Sequence, residues 1–226
     1  MTHEETVTLP SATLLKHRLI ALAAAALLLA GCASQKGEPT TQFDFGPAMP
    51  AASLAQSQAQ AQAAAPVGAI VVTDITGSSA LENERMFYRL SYADALQARS
   101  YANSRWTANP LQMMTQRMKT RIAQSGAKVL SETDASNGVP ILRIDVDEFI
   151  HNFSGAAQSE GQVALRASVF QGHVLVDQRS FARTTPAGSA DAAGGARALA
   201  ASTDAIAADI VAWLGTLNLN LNQNRR

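Results

Sequence analysis

Between residues 139 and 184 apolar and polar positions alternate. In VPILRIDVDEFIHNF (139–153), Leu142, Ile144, Val146 and Ile150 face one way, and Arg143, Asp145 and Asp147 face the other. Successive side chains of a strand point to opposite faces, so the pattern predicts a strand with one side on a core. GQVALRASVFQG (161–172) repeats it with Val163, Leu165, Ala167 and Val169, and HVLVDQRSFART (173–184) follows at once. Gln171-Gly172 is the turn between them, because glycine accepts the backbone that a tight hairpin needs. The three segments predict an antiparallel meander. Arg166 and Arg179 are placed to pair with Asp145, Asp147 or Asp177 across its polar side.

Upstream, VGAIVVTDI (67–75) is nearly continuous apolar sequence rich in β-branched residues, which predicts a strand buried on both faces. RMFYRLSY (85–92) alternates again, with Met86, Tyr88, Leu90 and Tyr92 on one face. LQARSY (96–101) is its return partner, and AKVLSET (127–133) is a further short strand. Two segments change period. After Pro110, Leu111, Met114, Met118 and Ile122 recur every three or four residues, the stripe of an amphipathic helix that Gly126 ends. Leu199, Ile206, Ile210, Trp213, Leu214 and Leu217 form a second stripe, whose alanine-rich first turns suit close packing on a sheet. The expected fold is α+β: a single mixed, mainly antiparallel sheet with two long helices packed on one face.

This domain is expected over residues 67–217. Before it, QFDFGP (42–47) sets Phe43 and Phe45 on one side of a short strand, and residues 48–66 are an uncharged Ala/Gln-rich linker. Residues 218–226 read as a frayed, disordered tail. The N-terminal segment has a different character. Lys16, His17 and Arg18 precede twelve apolar residues, Leu19 to Ala30, and then Gly31 and Cys32. A basic cluster, an apolar run and small residues form a secretory signal. Twelve residues rise only ~18 Å as a helix, too short for a hydrocarbon core of ~30 Å.

Cys32 is the only cysteine of the 226 residues, so neither a disulfide nor a cysteine-based zinc site is available to it. Leu29-Ala30-Gly31-Cys32 resembles the bacterial lipobox. That resemblance implies removal of residues 1–31, S-diacylglycerol and N-acyl groups (palmitate among them) on Cys32, and an acylated tether and linker over residues 32–66. Each buried CH₂ contributes about 0.8 kcal/mol, so two or three acyl chains anchor a protein firmly. Ala33 stands where aspartate would retain a lipoprotein in the inner membrane under the enterobacterial sorting rule. The implied place is therefore the periplasmic face of the outer membrane.

Charge adds little. Eighteen basic and eighteen acidic residues balance, and the signal segment removes two of each, so nothing favours nucleic acid. No nucleophile elbow, phosphate loop or dinucleotide fingerprint occurs. His151 and His173 have no neighbour at metal-ligand spacing, and His151 reads as a structural histidine. Asp145, Asp147 and Glu148 are acidic enough for proton transfer. Alternation, however, puts Glu148 on the opposite face, and pairing with arginines is the plainer reading. No catalytic residue, cofactor or metal is expected, and the chain is not expected to be an enzyme.

YANSRWTANP (101–110) crowds aromatic, arginine and proline residues between a strand and a helix. It is either an aromatic plug at a corner or a partner-binding edge built on Tyr101, Arg105, Trp106 and Pro110. In order after the lipobox, QFDFGP (42–47), RMFYR (85–89), YANSRWTANP (101–110) and IVAWL (210–214) resemble the ABC-type transport auxiliary lipoproteins, a family that includes the PqiC-like lipoproteins of paraquat-inducible systems. The Ala/Gln linker is longer than that pattern expects. The resemblance implies an MCE-domain periplasmic protein and an ABC permease and ATPase as partners, with self-association as a further expectation. It also implies a role in docking the transport assembly to the outer membrane and supporting lipid or hydrophobic-molecule trafficking. The alternative is a stand-alone ligand-binding lipoprotein with an apolar pocket between sheet and helices.

Overall fold

The computed structural model describes residues 39–48, 68–134, 137–217 and 219. The signal segment 1–31, Cys32, nearly all of the Ala/Gln stretch and all of the tail but Leu219 lie outside the described residues. In chain order the elements are β1 (Thr41–Phe43), β2 (Ala69–Val72), β3 (Thr76–Gly77), β4 (Arg85–Leu90), β5 (Ala98–Trp106), α1 (Pro110–Gln124), β6 (Lys128–Leu130), β7 (Ile141–Gly155), β8 (Gln158–Gln171), β9 (Val174–Pro186) and α2 (Ala192–Thr216).

The 15-residue β7 organises the sheet. At ~3.3 Å per residue it spans roughly 50 Å, long enough for several short partners in a row. One edge takes β2, β3 and β4 in succession, all parallel. The other edge takes β8, which pairs with β9, both antiparallel. β5 extends the sheet from β4, and β1 lies parallel on β5. β6 lies parallel on β2. The meander and the two helices are as expected. The mainly antiparallel sheet is not: five of the eight pairings are parallel. Alternation reports which face a strand buries and carries no information on the direction of its neighbour.

A second correction concerns facing. The β7–β8 register slips between Val146 and Glu148, leaving Asp147 as an extra residue. An extra residue reverses the alternation downstream. Phe149 therefore joins Leu142, Ile144 and Val146 in the core, while Ile150 turns to the other face. Glu148 in turn joins Asp145 on the outer side, against the simple alternation. Both are paired there: Arg89 Nη1 lies 2.9 Å from Glu148, and Arg166 lies 3.8 Å from Asp145. Asp177 takes no arginine among the described residues; it accepts a hydrogen bond from Trp213 Nε1 at 2.8 Å.

Both helices pack on one apolar cluster with the inward sheet residues. Asn109 caps α1 by accepting from Gln112 N at 2.8 Å, and Pro110 sits at its first position, where no N–H is needed. Asp191 caps α2, accepting from Gly194 N at 2.7 Å. α2 is long and apolar enough to cross a membrane by composition, but its stripe is buried against β8 and β9. Two glycines set that approach. A Cβ on Gly161 would stand 2.5 Å from the Ala198 carbonyl carbon, and one on Gly195 would stand 2.3 Å from His151 Nδ1. The helix start thus lies directly on β7 and β8.

Candidate partner-binding surface

The segment from Tyr101 to Pro110 does not present its four conspicuous residues together. In the β4–β5 ladder the pair Arg85–Arg105 is followed by Phe87–Ser100, so β5 carries surplus residues between them. Because of this bulge both Tyr101 and Trp106 turn inward, while Arg105 is exposed. Trp106 is 1% exposed. Its ring packs between Phe45, edge-on at 5.8 Å, and Phe149 at 5.7 Å. Pro110 is buried at the start of α1.

Phe45 reaches Trp106 because β1 lies on β5 with Phe43 opposite Trp106. Arg117 of α1 then clamps the chain that follows. Its Nη2 donates to the carbonyls of Phe45 and Gly46, the latter at 2.9 Å, and its guanidinium lies 5.8 Å from the Phe45 ring centre. Asp204 of α2 lies 3.4 Å from Arg117 Nε and accepts two hydrogen bonds from Arg121. Burial lowers the pKa of Arg117 from its usual value, and the Asp204 carboxylate works against that shift. Arg117 Nη1 is buried and finds no acceptor among the described residues. No pattern in the sequence marked Arg117, since it lies beside the apolar stripe of its helix and reads as a surface position.

Between this clamped segment and α1 runs a groove of about 460 Å³, bordered by Phe45, Ala48, Thr107, Gln112, Met113 and Arg117 among others. Exposed Arg105 belongs to the neighbouring strand.

Tyr101 serves a different cluster. Its hydroxyl lies 2.8 Å from His151 Nδ1, and its ring lies tilted against Tyr88 at 4.6 Å. His151 is fully buried against Phe153 and Gly195. Desolvation lowers its pKa to about 4, slightly opposed by the Asp191 carboxylate, and pushes the Tyr101 phenol well up. A neutral imidazole wedged under a helix start, with a phenol on one nitrogen, is a packing element. No nucleophile or carboxylate is hydrogen-bonded to it among the described residues. Nor do these residues contain a cluster of three or more metal-ligating side chains.

A family model described as "ABC-type transport auxiliary lipoprotein component" matches residues 52–211, well over half the chain. The chain belongs to that family. Its members are auxiliary components of ABC-type transport, which places this chain in the cell envelope beside transporter partners. Among solved structures, a Xanthomonas campestris protein of the DUF330 family shares 18% identity and a TM-score of 0.60, over 68% of this chain and 87% of that one. An uncharacterised protein shares 13% identity and a TM-score of 0.62, over 78% of this chain and 99% of that one. At such identities the likeness is one of fold. No curated protein matches the chain in sequence.

Proposed function

We propose that this chain is a non-enzymatic lipoprotein, anchored through acylated Cys32 in the outer membrane, that docks an ABC transport assembly there and supports movement of hydrophobic molecules. Its partners in this reading are a periplasmic MCE-domain protein and, through it, the permease and ATPase. Family membership supports the transport class. The observation that carries the docking role is the position of β1. Thr41 lies only nine positions after Cys32. Fully extended, nine residues reach at most ~30 Å, whereas thirty-five, the distance to Val67, would reach roughly 120 Å. With β1 in the sheet and Phe45 held by Arg117, the domain is kept close to the membrane that holds its anchor. Arg105 and the neighbouring groove form the contact with the MCE-domain partner.

The test is Cys32→Ser in cells. The reading expects an unprocessed or released protein, absent from outer-membrane fractions, that no longer recruits the MCE-domain partner to that membrane. Normal fractionation of the variant would overturn it. The groove favours a second reading, a stand-alone ligand-binding lipoprotein. Native mass spectrometry of the intact protein separates the two: a retained lipid in protein that captures no transport partner supports the second.

A further inference from the structure

The sheet has one long edge with nothing on it among the described residues. β9 pairs with β8 alone. Its residues Val174 to Ser180 are all exposed, and so are Ala182 to Thr184. Exposed edges are usually blunted by proline, lysine or shortness. Here the edge runs 13 residues, contains no lysine, and reaches its only proline at its last position. Val174, Leu175 and Val176 add an apolar tip, with Val174 68% exposed. From Asp177 to Arg183 the register with β8 is unbroken, and it slips only between Asp177 and Leu175.

We infer that β9 is a self-pairing edge, whose occupant is β9 of a second copy running antiparallel about a two-fold axis at Ser180. The side chains select this register. Centred on Ser180, Asp177 stands opposite Arg183 of the second copy, at both ends of the ladder. Arg179 stands opposite Phe181, over whose ring it already lies at 5.5 Å within its own chain. Asp177 forms no ion pair within the described residues, one of its oxygens accepting from Trp213 Nε1, and Arg183, bonded through Nε and Nη2 to Asp209, is still half exposed. The neighbouring centres are poorer. One on Arg179 would bring that residue against its own copy, so like charges would meet. One on Gln178 would set Asp177 against Arg179 but run the ladder through the slip at Val176. Exposed ion pairs contribute only ~0–1 kcal/mol each, so the length of unbroken backbone pairing decides between Gln178 and Ser180. The Ser180 centre pairs seven residues, Asp177 to Arg183, all inside the regular stretch that runs on to Pro186; a centre on Phe181 would set Arg179 against Arg183, and one on Ala182 would lose the Asp177–Arg183 pair and bring Pro186 into the ladder. The Ser180 centre also sets Gln178 opposite Ala182, with no like charges facing anywhere along it.

The test uses the full chain purified in detergent. Ser180→Cys is expected to give a disulfide-linked dimer on mild oxidation, because residue 180 meets its own copy, whereas Thr184→Cys is not. Gln178→Lys with Ala182→Lys sets lysine against lysine twice and is expected to weaken self-association at least tenfold by sedimentation. Gln178→Lys with Ala182→Glu restores attraction and is expected to return the dimer. Both positions are exposed, so these variants keep the fold, which circular dichroism checks. A monomeric wild type, equal association of the two double variants, or cross-linking at 184 rather than 180 would each overturn the inference.

Discussion

The corner around Trp106 and the arm formed by β9 put aromatic and arginine residues to opposite uses. At the corner, Trp106, Phe45 and Phe149 face one another, and Arg117 holds two backbone carbonyls and an aspartate. Side chains that look like interface anchors in the sequence are largely consumed inside the domain, and only Arg105 stays outside. On β9 the side chains look ordinary, yet among the described residues nothing covers the backbone edge or the Val174–Val176 tip. Residue type therefore marks where binding energy is available, while unmet groups mark where it remains to be used. Aromatic anchors are hot spots only when they are accessible to a partner.

Trp106→Ala puts this contrast at greatest risk. If Trp106 is core, the isolated domain should lose ~3–5 kcal/mol in chemical denaturation. A loss below ~1 kcal/mol with weakened partner capture would return Trp106 to the interface. Acidification tests the neighbouring Tyr101 cluster through His151. Its folded pKa is about 4 against an ordinary value of 6.5. The unfolded chain therefore binds the proton first, and stability should fall as pH drops from 6.5 to 4, by about 3 kcal/mol in all, and then level off for this group. His151→Phe should flatten that part of the stability–pH profile; an unchanged slope would mean that the imidazole is solvated.

Arg117→Met comes next. It leaves the carbonyls of Phe45 and Gly46 without their donor, while Arg121 still balances Asp204. A loss of about 2 kcal/mol is expected, together with faster hydrogen exchange over residues 41–47. Equal protection in the variant would show that β1 is held by its pairing with β5 alone. The smallest effect on folding belongs to Arg105→Ala, an exposed position, where less than ~0.5 kcal/mol of stability should go. Capture of the MCE-domain partner should weaken several-fold in the same variant. Unchanged capture would move the search to the polar outer face around Asp145 and Arg166.

Elements with a local signal were legible in the chain alone. The stripe from Leu111 to Ile122 became α1, the three alternating runs became β7, β8 and β9, and four short motifs named the family. Period and capping act over a few residues, so a single chain displays them. Whatever depends on distant residues was settled by the assembled core. Three short strands lie parallel along β7 because it is long, and no residue in them records that. One extra residue, Asp147, reversed the facing of Phe149, Ile150 and His151, and surplus residues in β5 turned both Tyr101 and Trp106 inward. Gly195 lies within α2 where a Cβ would meet His151, a contact that no neighbouring residue announces. QFDFGP (42–47) reads as a short strand before an uncharged linker, but nothing in it records that β1 pairs with β5 or that Arg117 grips the carbonyls that follow. Backbone pairing across such separations is selected by the free energy of the whole core, and local pattern carries no trace of it.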